Sequence, residues 1–189
     1  MFPASRGNRK IGRDTLIINI TSATDCPSRR LGMCPLDNPD RCYALKAERL
    51  YPQCLPYRRR QTELWDKLKP KEIAQSLIER IEHSKKPKIK YVRFSESGDF
   101  RCQADVDKMS EIASLLKPYK ITVYGYTARK DLDFSKVSSN MVVTGSRFMV
   151  HNEFVPGGDV SEGYVCALNC RVCDLCKSRR YVVINCKMH

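Results

Sequence analysis

Apolar positions along this chain follow two periods, and the period changes every fifteen to thirty residues. TLIINIT (15–21) is an apolar, β-branched run of strand length. KIKYVRFSESGDF (88–100) predicts a strand running into a Ser/Gly/Asp turn, and ITVYGYTAR (121–129), NMVVTGSRFMV (140–150) and YVVINC (181–186) predict three more strands. Between them the period lengthens to that of a helix. Residues 43–68 predict a helix that Pro52 and Pro56 must break or kink. Residues 69–86 place Ile73, Leu77, Ile78 and Ile81 on one face, and residues 103–120 do the same with Val106, Met109, Ile112, Ala113 and Leu116. DLDFSKVSS (131–139) predicts a helical turn. Residues 22–42 and 151–164, rich in Pro, Gly and Asp, predict loops.

Strand and helix thus alternate from residue 15 to residue 150, the pattern of parallel βαβ units with right-handed crossovers. The expected fold class is α/β, a small open or partial (β/α) barrel closed by the C-terminal Cys-rich segment. Residues 1–14 are expected to form a flexible basic arm, and residues 15–189 a single α/β iron–sulfur domain. In such folds chemistry collects at the carboxyl ends of the strands. Here those ends read TSATDC, SESGDF, YTARKD and TGSRF, all polar.

Composition narrows the setting. No apolar run approaches the ~20 residues of a membrane helix, and MFPASRGNRKIGRD has no apolar stretch of the kind a secretory signal carries. The expected location is cytoplasmic, with no membrane partner. In a reducing compartment ten cysteines point to metal rather than disulfides. The formal net charge of +13 favours a polyanion or nucleic acid as partner. The basic amino-terminal residues and the run Arg58, Arg59, Arg60 would supply phosphate contacts. Tyr43, Tyr51, Tyr57 and Trp65 are interleaved there, either as base-stacking groups or as helix packing. A metal-stapled basic nucleic-acid-binding protein without catalysis is therefore the alternative to a redox or enzymatic role.

The densest chemistry lies in VCALNCRVCDLCKSRR (165–180), where Cys166, Cys170, Cys173 and Cys176 fall in eleven positions. A structural zinc takes four ligands, usually as two separated pairs. A C-x2-C-x2-C loop instead suits three irons of a cubane, with the fourth ligand arriving from elsewhere. A [4Fe-4S] cluster is the first expectation, zinc the second, and disulfides or unligated thiols the third. Cys26, Cys34 and Cys42, which follow the first strand, are the natural distant donors. Cys54, Cys102 and Cys186 stand apart and read as small buried hydrophobes.

Two further groups are candidates for holding a ligand. In SESGDF, Gly98 permits a tight turn and Ser97 and Asp99 offer polar contacts, although Asp99 would equally cap the following helix. Arg129, at the end of its strand, is placed as an anion clamp. Arg171, Arg179 and Arg180 read either as solvated charge or as partners for an anionic cluster or substrate. His151 is expected at the mouth of the barrel.

The succession of CYALKA, VRFSESGDF, YGYTAR and a C-terminal cysteine cluster with a short strand after it resembles the phage and viral family called gene product 88, over about residues 15–186. More distantly it resembles radical S-adenosylmethionine (SAM) enzymes. That resemblance implies a small radical-SAM-like barrel, a [4Fe-4S] cluster and a viral origin, hence a host cytoplasm. It carries Cys42, the SGDF residues 97–100 and the C-terminal cysteines onto this chain as site residues. Radical SAM enzymes carry C-x3-C-x2-C just after the first strand. Here that position has C-x7-C-x7-C, and the familiar spacing falls at Cys166, Cys170 and Cys173. S-adenosylmethionine would bind only if the nearby fourth thiol leaves one iron open.

Overall fold

A computed structural model describes residues 1–36, 39–157 and 163–186. Its frame is an eight-stranded sheet: β1 (Ser5–Arg6), β2 (Thr15–Ile18), β3 (Tyr91–Phe94), β4 (Thr122–Thr127), β5 (Met141–Ser146), β6 (Asn152–Pro156), β7 (Tyr164–Val165) and β8 (Val183–Cys186). The spatial order is β1-β2-β3-β4-β5-β6-β8-β7. β1 is antiparallel to β2, and every other pairing is parallel. The sheet is open, with β1 and β7 as its edges. Five helices accompany it: α1 (Pro27–Arg30), α2 (Tyr43–Leu50), α3 (Cys54–Lys67), α4 (Pro70–Glu82) and α5 (Gln103–Leu116). The expected mixed α/β sheet is present, and it does not close into a barrel.

Register divides the sheet into two faces. Leu16, Ile18, Val92, Phe94, Val123, Met141 and Val143 enter one core with Ile73 and Leu77 of α4, and with Met109 and Ile112 of α5. The opposite face carries the row Ile17–Arg93–Tyr124–Val142, each residue beside its neighbour across a parallel pair. Nearer the carboxyl ends it carries Tyr126–Thr144–Asn152. A 3-10 turn at Leu175–Lys177 packs over β4 and β5 there. The helical residues on one face and the C-terminal segment on the other explain why the strands read as near-continuous apolar runs.

Three expectations change. The amino-terminal residues are not a flexible arm. Phe2 is fully buried, its N–H donates to Ser76 Oγ at 3.0 Å, and Ser5–Arg6 extend the sheet along β2. An apolar Phe and Ile11 anchor a stretch whose charges dominated its composition. The 151–164 segment, expected as a loop, contains β6 and the start of β7; residues 158–162 lie outside the described residues. β5 and β6 are parallel yet joined by only residues 147–151, far fewer than the dozen or so of an ordinary crossover. β6 starts opposite Thr144, so the chain needs to retreat by only two residues. Gly145 makes this possible, because a Cβ there would lie 2.2 Å from the Phe148 carbonyl oxygen. Residues 131–139 form turns without a helix, and the 43–68 helix breaks at 51–53 while Pro56 sits in the first turn of α3.

Candidate functional site

At the carboxyl ends of β2 and β3 the chain builds a dense polar knot. Gly98 adopts a φ of +69°, and a Cβ there would fall 2.1 Å from Thr21 Oγ1, so the SGD turn can lie flat on the β2 end. Thr21 Oγ1 accepts from the Asp99 N–H at 2.9 Å and donates to the Asp99 carbonyl at 3.0 Å. The Asp99 carboxylate accepts from Ser28 Oγ (2.6 Å), Thr127 Oγ1 (2.7 Å) and the N–H groups of Ala128 and Phe100 (both 2.8 Å). Burial drives its pKa above the ordinary carboxylate value, and those four donors pull it only part-way back. It does not cap α5, whose N-cap is Cys102. Ser97 N–H donates to Asn19 Oδ1 at 2.9 Å and Ser97 Oγ to Glu48 at 3.2 Å. Arg129 lies against Asp131 at 2.7 Å and donates to the carbonyls of Phe100 and Arg101. Ser97, Gly98, Asp99 and Arg129 thus tie the strand ends to one another through contacts within the chain.

The amino-terminal thiols gather beside this knot. Cys26 precedes α1, and its thiol is pushed up to about 11 by burial, with the charges of Asp99 and Cys34 adding to the effect. Burial likewise raises Cys34, helped by Cys42 and Asp99. Cys34 is therefore within electrostatic reach of both Cys26 and Cys42.

The carboxy-terminal thiols form a second group, over β4 and β8. Cys176 is pushed up to about 12 by burial; the charges of Cys166, Cys170 and Cys173 add to this, while the Tyr126 hydroxyl donating to it works against it. Cys186 is pushed up to about 11 by burial, with Cys166, its hydrogen-bond partner, as the next influence. The pairing of β7 with β8 explains that contact: Val165 lies opposite Asn185, and the Cys166 N–H donates to the Asn185 carbonyl at 2.7 Å. Cys166, Cys170, Cys173 and Cys176 line a small pocket with about 30 Å³ of free room, together with Arg93, Tyr124 and Tyr126. Lys177 locks the loop: its Nζ donates to the Cys170 carbonyl at 2.6 Å and sits 4.3 Å from the Tyr91 ring centre. Arg179 donates to the Ser138 and Met141 carbonyls, and Arg180 pairs with Asp174 at 2.9 Å. His151 is buried, its Nδ1 accepting the Val143 N–H at 3.0 Å.

Arg93 lines the C-terminal thiol pocket. Its guanidinium lies 5.4 Å from the Tyr126 ring centre. Tyr126 is bonded to Cys176, while Tyr43, within electrostatic reach of Arg93, follows Cys42 and donates to the Glu96 carbonyl at 2.7 Å. All ten cysteines are thiols, and among the described residues no group of three or more His, Cys, Asp or Glu could hold a metal ion as placed. Sequence reasoning missed Arg93, Tyr126 and the partnership of Cys186 with Cys166. An arginine inside the apolar run YVRF was the available signal, since a strand covered on both faces has no ordinary place for a charge.

The gene product 88 family matches this chain over residues 3–182, nearly its whole length. The chain belongs to that family. The match takes in β1 through the C-terminal thiol loop and stops just short of β8, so Cys186 lies beyond it while the other nine cysteines lie within. It bears out the phage and viral resemblance seen in the sequence. No curated protein and no solved structure matches the chain. No helix among the described residues is long and apolar enough to cross a membrane.

Proposed function

We propose that this member of the gene product 88 family is an iron–sulfur protein whose cluster is held by Cys166, Cys170, Cys173 and Cys176, with Cys186 placed to exchange for one of them. The observation that carries this reading is the convergence of these thiols: Cys166, Cys170, Cys173 and Cys176 line one pocket, and Cys186 is hydrogen-bonded to Cys166. Soft thiol donors that share one pocket are stabilised as thiolates by a soft cation. The donor set fits in number and in chemistry, and the loop would have to draw its thiols closer than they stand to hold the cluster. When bound, such a cluster supplies one-electron redox chemistry. Around it Tyr126 would hold Cys176 through its hydroxyl, Lys177 would fix the Cys170 backbone, and Tyr124 and Leu175 would limit water. Cys26, Cys34 and Cys42, beside Asp99, are a second thiol set for the same purpose or for a separate zinc. The parallel strands and polar strand ends support the distant likeness to radical SAM enzymes, and S-adenosylmethionine is a cofactor in this reading only where an iron lacks a thiol.

Anaerobic purification with iron and sulfide counts tests the proposal, followed by electron paramagnetic resonance of the reduced protein with and without S-adenosylmethionine. The expected protein is brown and contains sulfide. The C170S and C173S variants lose iron and sulfide together, whereas C54S and C102S keep both. A colourless protein with zinc and no sulfide would overturn the reading. A spectrum changed by S-adenosylmethionine identifies an open iron, and an unchanged one identifies four protein ligands.

A further inference from the structure

The parallel strands β2, β3 and β4 begin at one end of the sheet, opposite the carboxyl ends that hold the polar knot. The segments that enter them, residues 7–14, 83–90 and 117–120, are therefore neighbours. Hydrogen bonds hold the three side by side. Arg6 Nε donates to the Arg13 carbonyl at 2.7 Å, and its Nη2 to those of Lys85 (2.9 Å) and Pro87 (2.6 Å). The Lys90 N–H donates to the Asp14 carbonyl at 2.8 Å, and the Thr122 N–H to the Lys90 carbonyl at 3.1 Å.

This end of the molecule is densely basic. The first segment exposes Arg9 and Arg13, the second Lys85, Lys86, Lys88 and Lys90, and the third Lys117 and Lys120. Lys88 and Lys90 flank the buried Ile89, and Lys120 precedes the buried Ile121, so core packing fixes where these lysines emerge. The one carboxylate in the three segments is the half-buried Asp14. None of these cations forms an ion pair among the described residues, whereas seven pairs are made elsewhere in the chain. Lys10, in the first segment, is instead within electrostatic reach of Cys186. Like charges held this close repel one another, and a counter-charge outside the chain relieves them. Arg58 and Arg59, expected from the sequence to meet phosphate, are occupied: Arg58 is buried against Glu48, and Arg59 pairs with Asp25.

The chemistry of the surface narrows the partner. Within the three segments Tyr119 is the one exposed large apolar side chain. A lipid surface is held by inserted apolar groups as well as by charge, and a single nucleic-acid strand by several stacking rings. A duplex asks for neither, because its phosphates face outward and its bases are stacked within. Adjacent strands lie about 4.8 Å apart, so three strand ends spread these cations over roughly 10 Å, on the scale of a major groove of about 12 Å. One carboxylate leaves little to accept a hydrogen bond from a 2′-hydroxyl, so the set has no means of selecting RNA. We propose that this amino-end pole of the sheet docks on the phosphate backbone of double-stranded DNA without reading its sequence. The surface goes beyond the iron–sulfur reading and stands without it.

Fluorescence anisotropy of a labelled DNA duplex of about 20 base pairs, titrated with the full chain as purified anaerobically, tests this. The dissociation constant is expected to rise about a hundredfold or more between about 50 and 200 mM sodium chloride. In the protein combining Lys85→Gln, Lys86→Gln and Lys88→Gln, binding should weaken about tenfold or more, and the log–log salt slope should flatten by about 2–3. The control combines Lys46→Gln, Arg60→Gln and Lys130→Gln, at exposed positions in α2, in α3 and after β4. It removes the same charge outside the pole and should bind within about threefold of wild type. Both variants change exposed side chains alone, so each is expected to fold. No binding, or equal weakening by the two variants, would overturn the proposal. So would stronger competition by a single strand or an RNA duplex of the same length, or binding to phosphatidylserine–phosphatidylcholine vesicles with none to the duplex. Iron and sulfide counts on the same samples separate this outcome from the fate of the cluster.

Discussion

Glu48 and Arg58 meet at 2.8 Å with almost no exposed side-chain surface. Glu48 also accepts the N–H groups of Ala23 and Thr24 and the Thr24 hydroxyl, at 2.8–2.9 Å. Burial alone would raise its pKa, yet these donors together hold it below the ordinary glutamate value. The pair thereby pins the loop after β2 to α2 and α3. Glu48→Ala would leave Arg58 charged and buried and two backbone donors bare, so urea unfolding should show a loss of about 3 kcal/mol or more. His151 works in the opposite sense. Burial, with the Arg179 charge behind it, lowers its pKa to about 4, so it stays neutral and accepts the Val143 N–H. The unfolded chain takes up a proton at this residue near pH 6.5 and the folded chain only near 4. The stabilisation is therefore complete above pH 6.5 and is lost as the pH falls toward 4. His151→Asn, which keeps an acceptor in place, should flatten that decline by about 3 kcal/mol between these limits. An unchanged pH profile of melting would show that another group controls the acid limb.

At the scale of elements, the connection from β5 to β6 is the least ordinary part of the sheet. Gly145→Ala would push a methyl into the Phe148 carbonyl oxygen at 2.2 Å and against its ring at 3.1 Å. The backbone on both sides is already fixed in the ladder, so the expected loss is about 3 kcal/mol. Gly32→Ala is the comparison. Its φ is +67° but nothing lies within 4 Å of a Cβ, so only conformational strain of about 1 kcal/mol is expected. Denaturant titration of the two proteins separates steric closure from backbone preference. The same connection shows why some elements could be read and others not. β2 to β5, α4 and α5 carry long runs of one period, and their expected ranges agree with those observed to within a few residues at each end. β6 does not announce itself, since NEFVP is short, mixed and ends in proline. β1 is two residues among basic ones, and only the burial of Phe2 shows why it is held. The thiol loop was visible as spacing, because four cysteines in eleven residues need no tertiary knowledge. The contact of Cys166 with Cys186 was not, since it depends on pairing across strands whose connection wraps the whole loop. Arg93 was visible only as a charge in an apolar run: the ring it lies on, Tyr126, is brought to it by strand pairing.

Across the whole molecule, the C-terminal segment has two attachments of different strength. β8 lies inside the sheet, paired with β6 on one side and β7 on the other. The loop from Cys166 to Lys177 rests on the sheet through a few side-chain contacts: Lys177 over the Tyr91 ring, Asn152 to the Leu175 carbonyl, and Tyr126 to Cys176. Four of its residues are thiols that line one pocket. Metal bound there would supply much of the energy that orders the loop, because ligand binding to the folded state alone adds directly to its stability. The main core has no such dependence. Its apolar residues join β2–β5 to α4 and α5 with no cysteine among them. Chelation should therefore free the loop without unfolding the sheet. Hydrogen exchange followed by mass spectrometry should show amides of residues 166–177 exchanging much faster after metal removal, while those of β2–β5 keep their protection. Simultaneous loss of protection in both regions would mean that the core depends on the metal after all. No change in the loop would mean that its side-chain contacts are sufficient and that the thiols hold nothing that orders it.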